Sequence, residues 1–245
     1  MKKAYFRFYA GLNKFFPAAE DGKEHIHYFK GRQSVKDRIE TLGVPHTEIF
    51  LIIKQGTPVD FTYLVKDRDR FSIYPYFKKF ELPGDIRIRP PYPDKPRFIA
   101  DTHLGKLARY LRRFGFDTLY ENNFQDKEIV DIAVKDNRII LTRDHGLLMR
   151  KRVTYGYFIH YDNPRKQLFS VFDRYDLDLF DKNNGRCVNC NSKLNSVSKQ
   201  KILDRLEPKT RKYFDEFYLC PGCNKIYWKG SHYKMMENLI DNYQL

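Results

Sequence analysis

Every cysteine of this chain lies beyond residue 186, in two Cys-x-x-Cys pairs, Cys187/Cys190 and Cys220/Cys223, with 29 residues between the pairs. Two such knuckles place four thiolates around one tetrahedral cation, and sulfur ligands of this kind select zinc. Four protein sulfurs leave no open coordination position, so the expected zinc is structural. The separation exceeds the usual ~15–20 residues, and a predicted helix over 199–206 accounts for the excess. The competing arrangement is two disulfides, which need an oxidising compartment. The N-terminus MKKAYFRFYAG has no apolar core or small-residue cleavage site of a secretory signal. A cytoplasmic chain is therefore expected. In a C-terminal segment this short, metal binding provides much of the folding free energy.

The rest of the 245 residues divides around a proline cluster. Five of the twelve prolines fall in LPGDIRIRPPYPDKP. Proline removes backbone donors and biases each preceding residue toward extended conformations, so 82–96 is expected to be a linker. A turn-rich run at 181–185 marks a second boundary. Three parts follow: 1–81, 97–183 and 184–245. Lysine and arginine number 45 against 31 acidic residues, a net of +14. That excess is spread along the chain and points to a polyanionic partner, with nucleic acid the commonest. The longest apolar run, Ile49 to Ile53, is far shorter than the ~20 residues a membrane span needs, so no membrane partner is expected.

In the first part, KAYFRFYA alternates like a strand and HIHYF like a second. Ser34 reads as a helix N-cap, with Asp37 in the usual Glu position of a capping box. Val35, Ile39 and Leu42 form a short apolar stripe that Gly43 and Pro45 terminate. IFLII and RFSIYPYF are further strands, with an extended piece over 59–63. Two strands, a helix and more strands suggest a β-grasp fold. The second part alternates strand and helix: RFIAD, a helix through Leu107 and Leu111, FDTLY, a helix over 126–135, RIILT, YGYFIHY and a helix over 164–174. Such alternation implies a parallel sheet.

Sites on such sheets lie beyond the carboxyl ends of the strands. Asp101 ends the first strand there and Asp144 follows the third; Asp126, Glu128 or Asp131 at the start of the second helix can add another acid. Grouped carboxylates repel unless a cation compensates, and hard oxygen ligands with remaining water positions suit Mg²⁺ or Mn²⁺. Strand-end aspartates also serve simply as caps and turn formers. Lys106, Arg109 and Arg113 recur at i, i+3 and i+7 and form one basic ridge. Arg143 can clamp a phosphate or pair with a nearby acid. His103 and His145 read as turn residues more readily than as proton relays, and Arg150–Arg152 as a solvated basic run.

The stretches DTHLGKLARYLRRFGFDTLY and RIILTRDHGLLMRK resemble the C-terminal RNase domain of the Mut-seven family, a member of the PIN-like nucleases. Asp101, Lys106, Arg109, Asp126, Thr142, Arg143 and Asp144 fall on the family pattern. The resemblance implies a divalent-metal-dependent ribonuclease, with endonucleolytic cleavage the default. Asp101, Asp126 and Asp144 are the implied Mg²⁺ ligands, with Glu128 the next candidate to act with them. CPGCNKIYWKGSH is similar to the zinc ribbon that follows that domain. Its Tyr227, Trp228, Lys229 and His232 combine aromatic faces with charge and can hold RNA; Trp228 can equally pack over the knuckle. GVPHTE, VDFTY and IYPYF resemble the ubiquitin-like domain that precedes the RNase domain in bacterial relatives. This part lacks the Gly-Gly tail of a sulfur carrier, so positioning of RNA or of a protein partner is its expected role. The roles of His46 and Glu48 in GVPHTE are open. The whole reads as a PIN-like α/β domain between a β-grasp domain and a zinc ribbon. Two rival functions are a non-catalytic RNA-binding adaptor and the toxin of a toxin–antitoxin pair.

Overall fold

The computed structural model describes residues 1–76, 86, 88–177 and 185–230. Most of the 181–185 turn and His232 therefore lie outside the described residues, as do 82–85 and 87 of the proline-rich stretch. The chain forms two compact units: Met1–Leu104 with Tyr120–Asp162, and Gly105–Leu119 with Asn163–Leu245.

The first unit opens with a five-stranded sheet of β1 (Lys2–Phe8), β2 (Glu24–Phe29), β3 (Ile49–Lys54), β4 (Thr57–Pro58) and β5 (Arg70–Pro75), in the order β2-β1-β5-β3-β4. β1 and β5 pair parallel, and every other pair is antiparallel. This is the β-grasp arrangement. Helix α1 (Val35–Thr41) starts at a complete capping box: Asp37 N–H donates to Ser34 Oγ at 3.1 Å, and Ser34 N–H donates to Asp37 Oδ2 at 3.2 Å. Gly43, at φ +93°, supplies the left-handed residue that ends it. Phe6, Phe8, Ile39, Ile52 and Ile73 fill the core between helix and sheet. The expected extended piece over 59–63 is instead a turn, because Asp60 Oδ1 accepts from both the backbone N–H (2.8 Å) and the hydroxyl (2.6 Å) of Thr62.

Three short parallel strands follow in the same unit: β6 (Phe98–Ala100), β8 (Ile139–Thr142) and β9 (Gly156–Phe158). β6 and β8 are wholly buried, as parallel strands usually are. Helix α3 (Asp126–Asp136) leads into β8, and α4 (His145–Leu148) leaves it. The loop after α1 reaches β9. Buried Glu48 accepts the Phe158 N–H at 2.6 Å through Oε1. His46 lies between Glu40 Oε1 (2.6 Å from Nδ1) and the Val153 carbonyl (2.9 Å from Nε2). These contacts answer what GVPHTE does: it caps backbone groups of the parallel-sheet strand β9 and the loop before it. Leaving a fully buried N–H without its acceptor costs about 1–3 kcal/mol, and the part-buried Phe158 N–H stands at the low end, about 1 kcal/mol. Glu48→Ala is therefore expected to lower the urea midpoint by that amount of free energy at unchanged m-value.

The second unit contains α2 (Gly105–Arg113), β7 (Thr118–Leu119) and α5 (Pro164–Tyr175), with Phe114 edge-on to Phe172 at 5.2 Å. Its C-terminal part is a three-stranded antiparallel sheet of β10 (Asn195–Val197), β11 (Phe217–Leu219) and β12 (Ile226–Trp228). The insertion between the cysteine pairs is not the single α-helix expected over 199–206. It is a 3-10 helix, Lys199–Arg205, followed by α6 (Pro208–Tyr213). Pro208 stands at the first position of α6, where its missing N–H costs nothing.

Candidate active site and metal centres

β6 and β8 run side by side with Ala100 opposite Leu141, so both strands end at the same level. Asp101 follows β6, and its N–H donates to the Leu141 carbonyl at 2.9 Å. The buried Thr142 hydroxyl then links the two strand ends. It donates to Asp101 Oδ2 at 2.7 Å and accepts the backbone N–H of Asp144 at 2.9 Å. Asp101 Oδ1 accepts from Thr102 N–H at 2.6 Å, which fixes the rotation of the carboxylate. Asp144 caps α4: its Oδ1 accepts from Gly146 N–H at 2.7 Å. Its Oδ2 has no hydrogen bond among the described residues, and the side chain is exposed. Asp101 is 8 % exposed. One buried hydroxyl thus links the carboxylate of Asp101 to the backbone of Asp144, far away in the chain; the first side chain is buried and the second faces solvent.

The other expected acids have different partners. Asp126, at the first turn of α3, pairs with Arg150 at 2.7 Å. Glu128 Oε2 accepts the N–H of Gln125 at 2.9 Å and closes the α3 capping box. Asp131 pairs with Arg152 at 2.5 Å. The basic run Arg150–Arg152 is thus, at its two arginines, the counter-charge of α3. Arg143 is exposed and pairs with Asp162 at 2.6 Å. Among the described residues, the four cysteines are the only group of three or more His, Cys, Asp or Glu side chains whose ligand atoms converge. Asp101, Asp126 and Asp144 form no such trio.

The cysteine cluster is built from two equivalent knuckles. In each, the backbone N–H of the second cysteine points at the sulfur of the first, at 3.5 Å for Cys190 and 3.4 Å for Cys223. The following Asn, Asn191 or Asn224, turns back in the left-handed region at φ +66° or +59°. Its N–H donates to the carbonyl of the first cysteine at 2.9 Å in both knuckles. All four sulfurs lie within 4.8 Å of one another, with Cys187–Cys223 at 3.4 Å and Cys190–Cys220 at 3.3 Å. A tetrahedral zinc at about 2.3 Å from each sulfur sets S–S edges of about 3.8 Å, so this donor set can hold zinc. Tyr227 adds a hydroxyl 3.0 Å from Cys187 Sγ.

Residues 1–81 match the family model described as Mut7-C ubiquitin, and residues 96–240, more than half of the chain, match the Mut7-C RNAse domain. The chain belongs to the Mut7-C RNAse family. No curated protein and no solved structure matches it. Family membership gives the chain a nuclease-like, hydrolytic function at that level of description. No helix among the described residues is long and apolar enough to cross a membrane.

Within this Mut7-C RNAse domain the basic ridge is real: Lys106, Arg109 and Arg113 are all exposed on α2, with no ion pair among the described residues. Trp228 is 39 % exposed and tilts toward Phe214 and Phe217 at 6.3 and 6.5 Å, so it does part of the packing its neighbours need. Lys229 pairs with Glu216 at 2.6 Å. Sequence reasoning missed Arg112, which is 3 % exposed. Its guanidinium donates to the carbonyls of Thr118 (2.8 Å), Val188 (3.0 Å) and Asn189 (2.8 Å), the last two inside the first knuckle. Asp117 receives Asn191 Nδ2 at 2.8 Å and Arg186 at 3.3 Å. The RRFGFDT stretch therefore clasps the cysteine loop. The available signal was position: Arg112 follows Leu111 and lies four residues after Ala108, on the apolar stripe.

His145, the residue after Asp144, and His160 share a ring cluster with Phe15 and Phe158. His145 is half-buried and edge-on to Phe158 at 4.2 Å, and burial pushes its imidazole below the ordinary range, against the pull of Asp144. His160 is pushed down to about 4 by burial, then by Lys14 and by His145. A folded value below the unfolded one of about 6.5 means the native state resists protonation. The stability associated with a neutral His160 is complete above pH ~6.5 and falls away as the pH drops toward 4. His160→Gln is expected to lose less stability than the parent protein between pH 7 and pH 5, measured by urea midpoints at the two values.

Proposed function

We propose that the protein is a divalent-metal-dependent endoribonuclease that hydrolyses RNA phosphodiester bonds at Asp101 and Asp144. The observation that carries this reading is the Thr142 hydroxyl linking Asp101 Oδ2 to the backbone of Asp144 at the ends of adjacent parallel strands. Mg²⁺ needs one or two carboxylates and otherwise keeps water or substrate oxygens, so this pair fits Mg²⁺ or Mn²⁺ without a third acid. When bound, such an ion lowers the pKa of a water ligand and neutralises charge on a phosphate.

The chain's own residues do the rest. Thr142 and Thr102 hold Asp101 in one orientation. Asp144 offers Oδ2 while Gly146 N–H steadies Oδ1. Arg143 exchanges Asp162 for a backbone phosphate. Lys106, Arg109 and Arg113 neutralise further phosphates, Trp228 and Lys229 provide a stacking face and charge for unpaired RNA, and the cysteine cluster holds structural zinc. Asp126 and Glu128 serve the site from α3 once Arg150 releases Asp126. RNA is the substrate partner, the ubiquitin-like domain is a surface for a protein partner, and the compartment is the cytoplasm.

The second reading, a non-catalytic RNA-binding adaptor, is favoured by the Asp126–Arg150 pair, which withholds the third carboxylate. Labelled RNA incubated with Mg²⁺, with and without EDTA, beside Asp101→Asn and Asp144→Asn, separates the two. Cleavage lost in all three controls supports the enzyme; binding without cleavage by the parent protein supports the adaptor.

A further inference from the structure

The segment leaving β9 is held by residues from two distant stretches of the chain. From the N-terminal ubiquitin-like domain, a 3-10 helix over Ala10–Phe15 brings Phe15 against His160 (4.8 Å), His145 (5.3 Å) and Phe158 (5.5 Å). The preceding residue, Lys14, places Nζ 3.2 Å from the Tyr161 hydroxyl and 5.2 Å from the centre of its ring. Arg143 reaches the next residue, Asp162. Two cations from separate parts of the sequence therefore meet consecutive residues, 161 and 162, just past the carboxyl end of a parallel strand. That is the end at which Asp101 and Asp144 lie, and His145, in ring contact with Phe15, is the residue after Asp144.

Lys14 is exposed, and among the described residues no carboxylate pairs with it. An ammonium has three donors, and Tyr161 takes one. Tyr161 fixes the long side chain in place, so less rotamer entropy remains to be lost when an anion binds. The ring contacts of Phe15 keep the whole turn on the β9 segment.

We propose that Lys14, together with the Tyr161 hydroxyl, holds a backbone phosphate of the RNA beside Asp144, so that the ubiquitin-like domain forms part of the substrate track. This rests on the ribonuclease reading above. An acidic protein surface is the alternative ligand; RNA is favoured because Lys14 stands at the same strand ends as the two site carboxylates.

The test uses the full chain and a fluorescein-labelled single-stranded oligoadenylate. Its affinity is measured across a KCl series in the non-cleaving Asp144→Asn background. Losing one phosphate contact to single-stranded nucleic acid flattens the plot of log K against log[salt] by about 0.7. Lys14→Ala is expected to show that change with an unaltered melting temperature, and Lys14→Arg to restore the parent slope. In the cleaving background, Lys14→Ala is expected to raise KM at near-constant kcat. An unchanged slope in Lys14→Ala overturns the proposal, as does a weaker affinity at constant slope, which marks the turn as a shape element or a protein-facing one. The two readings fail separately: cleavage that persists in Asp144→Asn sinks the ribonuclease mechanism whatever Lys14 does, while an unchanged slope beside Asp144-dependent cleavage sinks only the role of Lys14.

Discussion

Replacing Asp144 by Asn is expected to reduce Mg²⁺-dependent RNA cleavage by about 100- to 1,000-fold, and Asp101→Asn by a similar factor. An amide keeps the shape of the carboxylate but not its charge, and metal-assisted stabilisation of a phosphoryl transition state is worth several kcal/mol; each 1.36 kcal/mol is a factor of ten in rate. The two variants are expected to differ in stability. Asp101 is buried and accepts from Thr102 N–H and the Thr142 hydroxyl, so an amide nitrogen at Oδ1 forfeits the Thr102 bond and one at Oδ2 reverses the Thr142 bond. Asp144 is exposed, and Asn is as good a helix cap as Asp. Steady-state cleavage at saturating Mg²⁺, with the melting temperature of each variant, checks both statements. Thr142→Val provides a sharper test of the link, because it keeps the shape and removes the shared hydroxyl. A Thr142→Val enzyme of undiminished kcat would show that the link has no part in catalysis.

Loss of the proposed zinc is the second large expected effect. Four thiolates bind zinc with an apparent free energy of about 10–16 kcal/mol in small zinc domains, more than the total stability of most domains. Cys220→Ser and Cys187→Ser remove fully buried ligands and are expected to release the metal and unfold the C-terminal sheet. Chelation of the parent protein is expected to do the same. The readouts are zinc content by atomic absorption and protease sensitivity between residues 185 and 230. A chelated protein that keeps its protease resistance and melting temperature would argue for a cluster that folds without metal.

Local signals in the sequence were dependable where chemistry is local. Ser34 and Asp37 announced a capping box three residues apart, and the box is there. The cysteine spacing announced a four-sulfur cluster, which the folded chain assembles. Strand ends at Asp101 and Asp144 followed from hydrophobic runs that stop abruptly. What was hidden is long-range. Nothing in HTE of GVPHTE says that Glu48 accepts an N–H 110 residues away. GLNKFF gave no sign that Lys14 lies 147 residues from its tyrosine partner in sequence and 3.2 Å from it in space. The 199–206 stretch had helical composition, but residues up to Arg205 wind as 3-10 and only restart as an α-helix at Pro208. Glu128 illustrates a third kind of ambiguity. An acid at the start of a helix suits both a cap and a metal, and its bond to Gln125 N–H is the capping choice.

The grip of Arg112 on the Val188 and Asn189 carbonyls has a practical corollary for anyone dissecting this protein. A truncation that stops before Arg186 strips a buried guanidinium of two acceptors and deprives Asp117 of both Asn191 and Arg186. The helix bearing Lys106, Arg109 and Arg113 would then carry an internal guanidinium short of two of its acceptors. Shortened versions are thus poorly suited to judging whether the C-terminal cysteine module contributes to activity, because damage to its foothold would pass for a missing function.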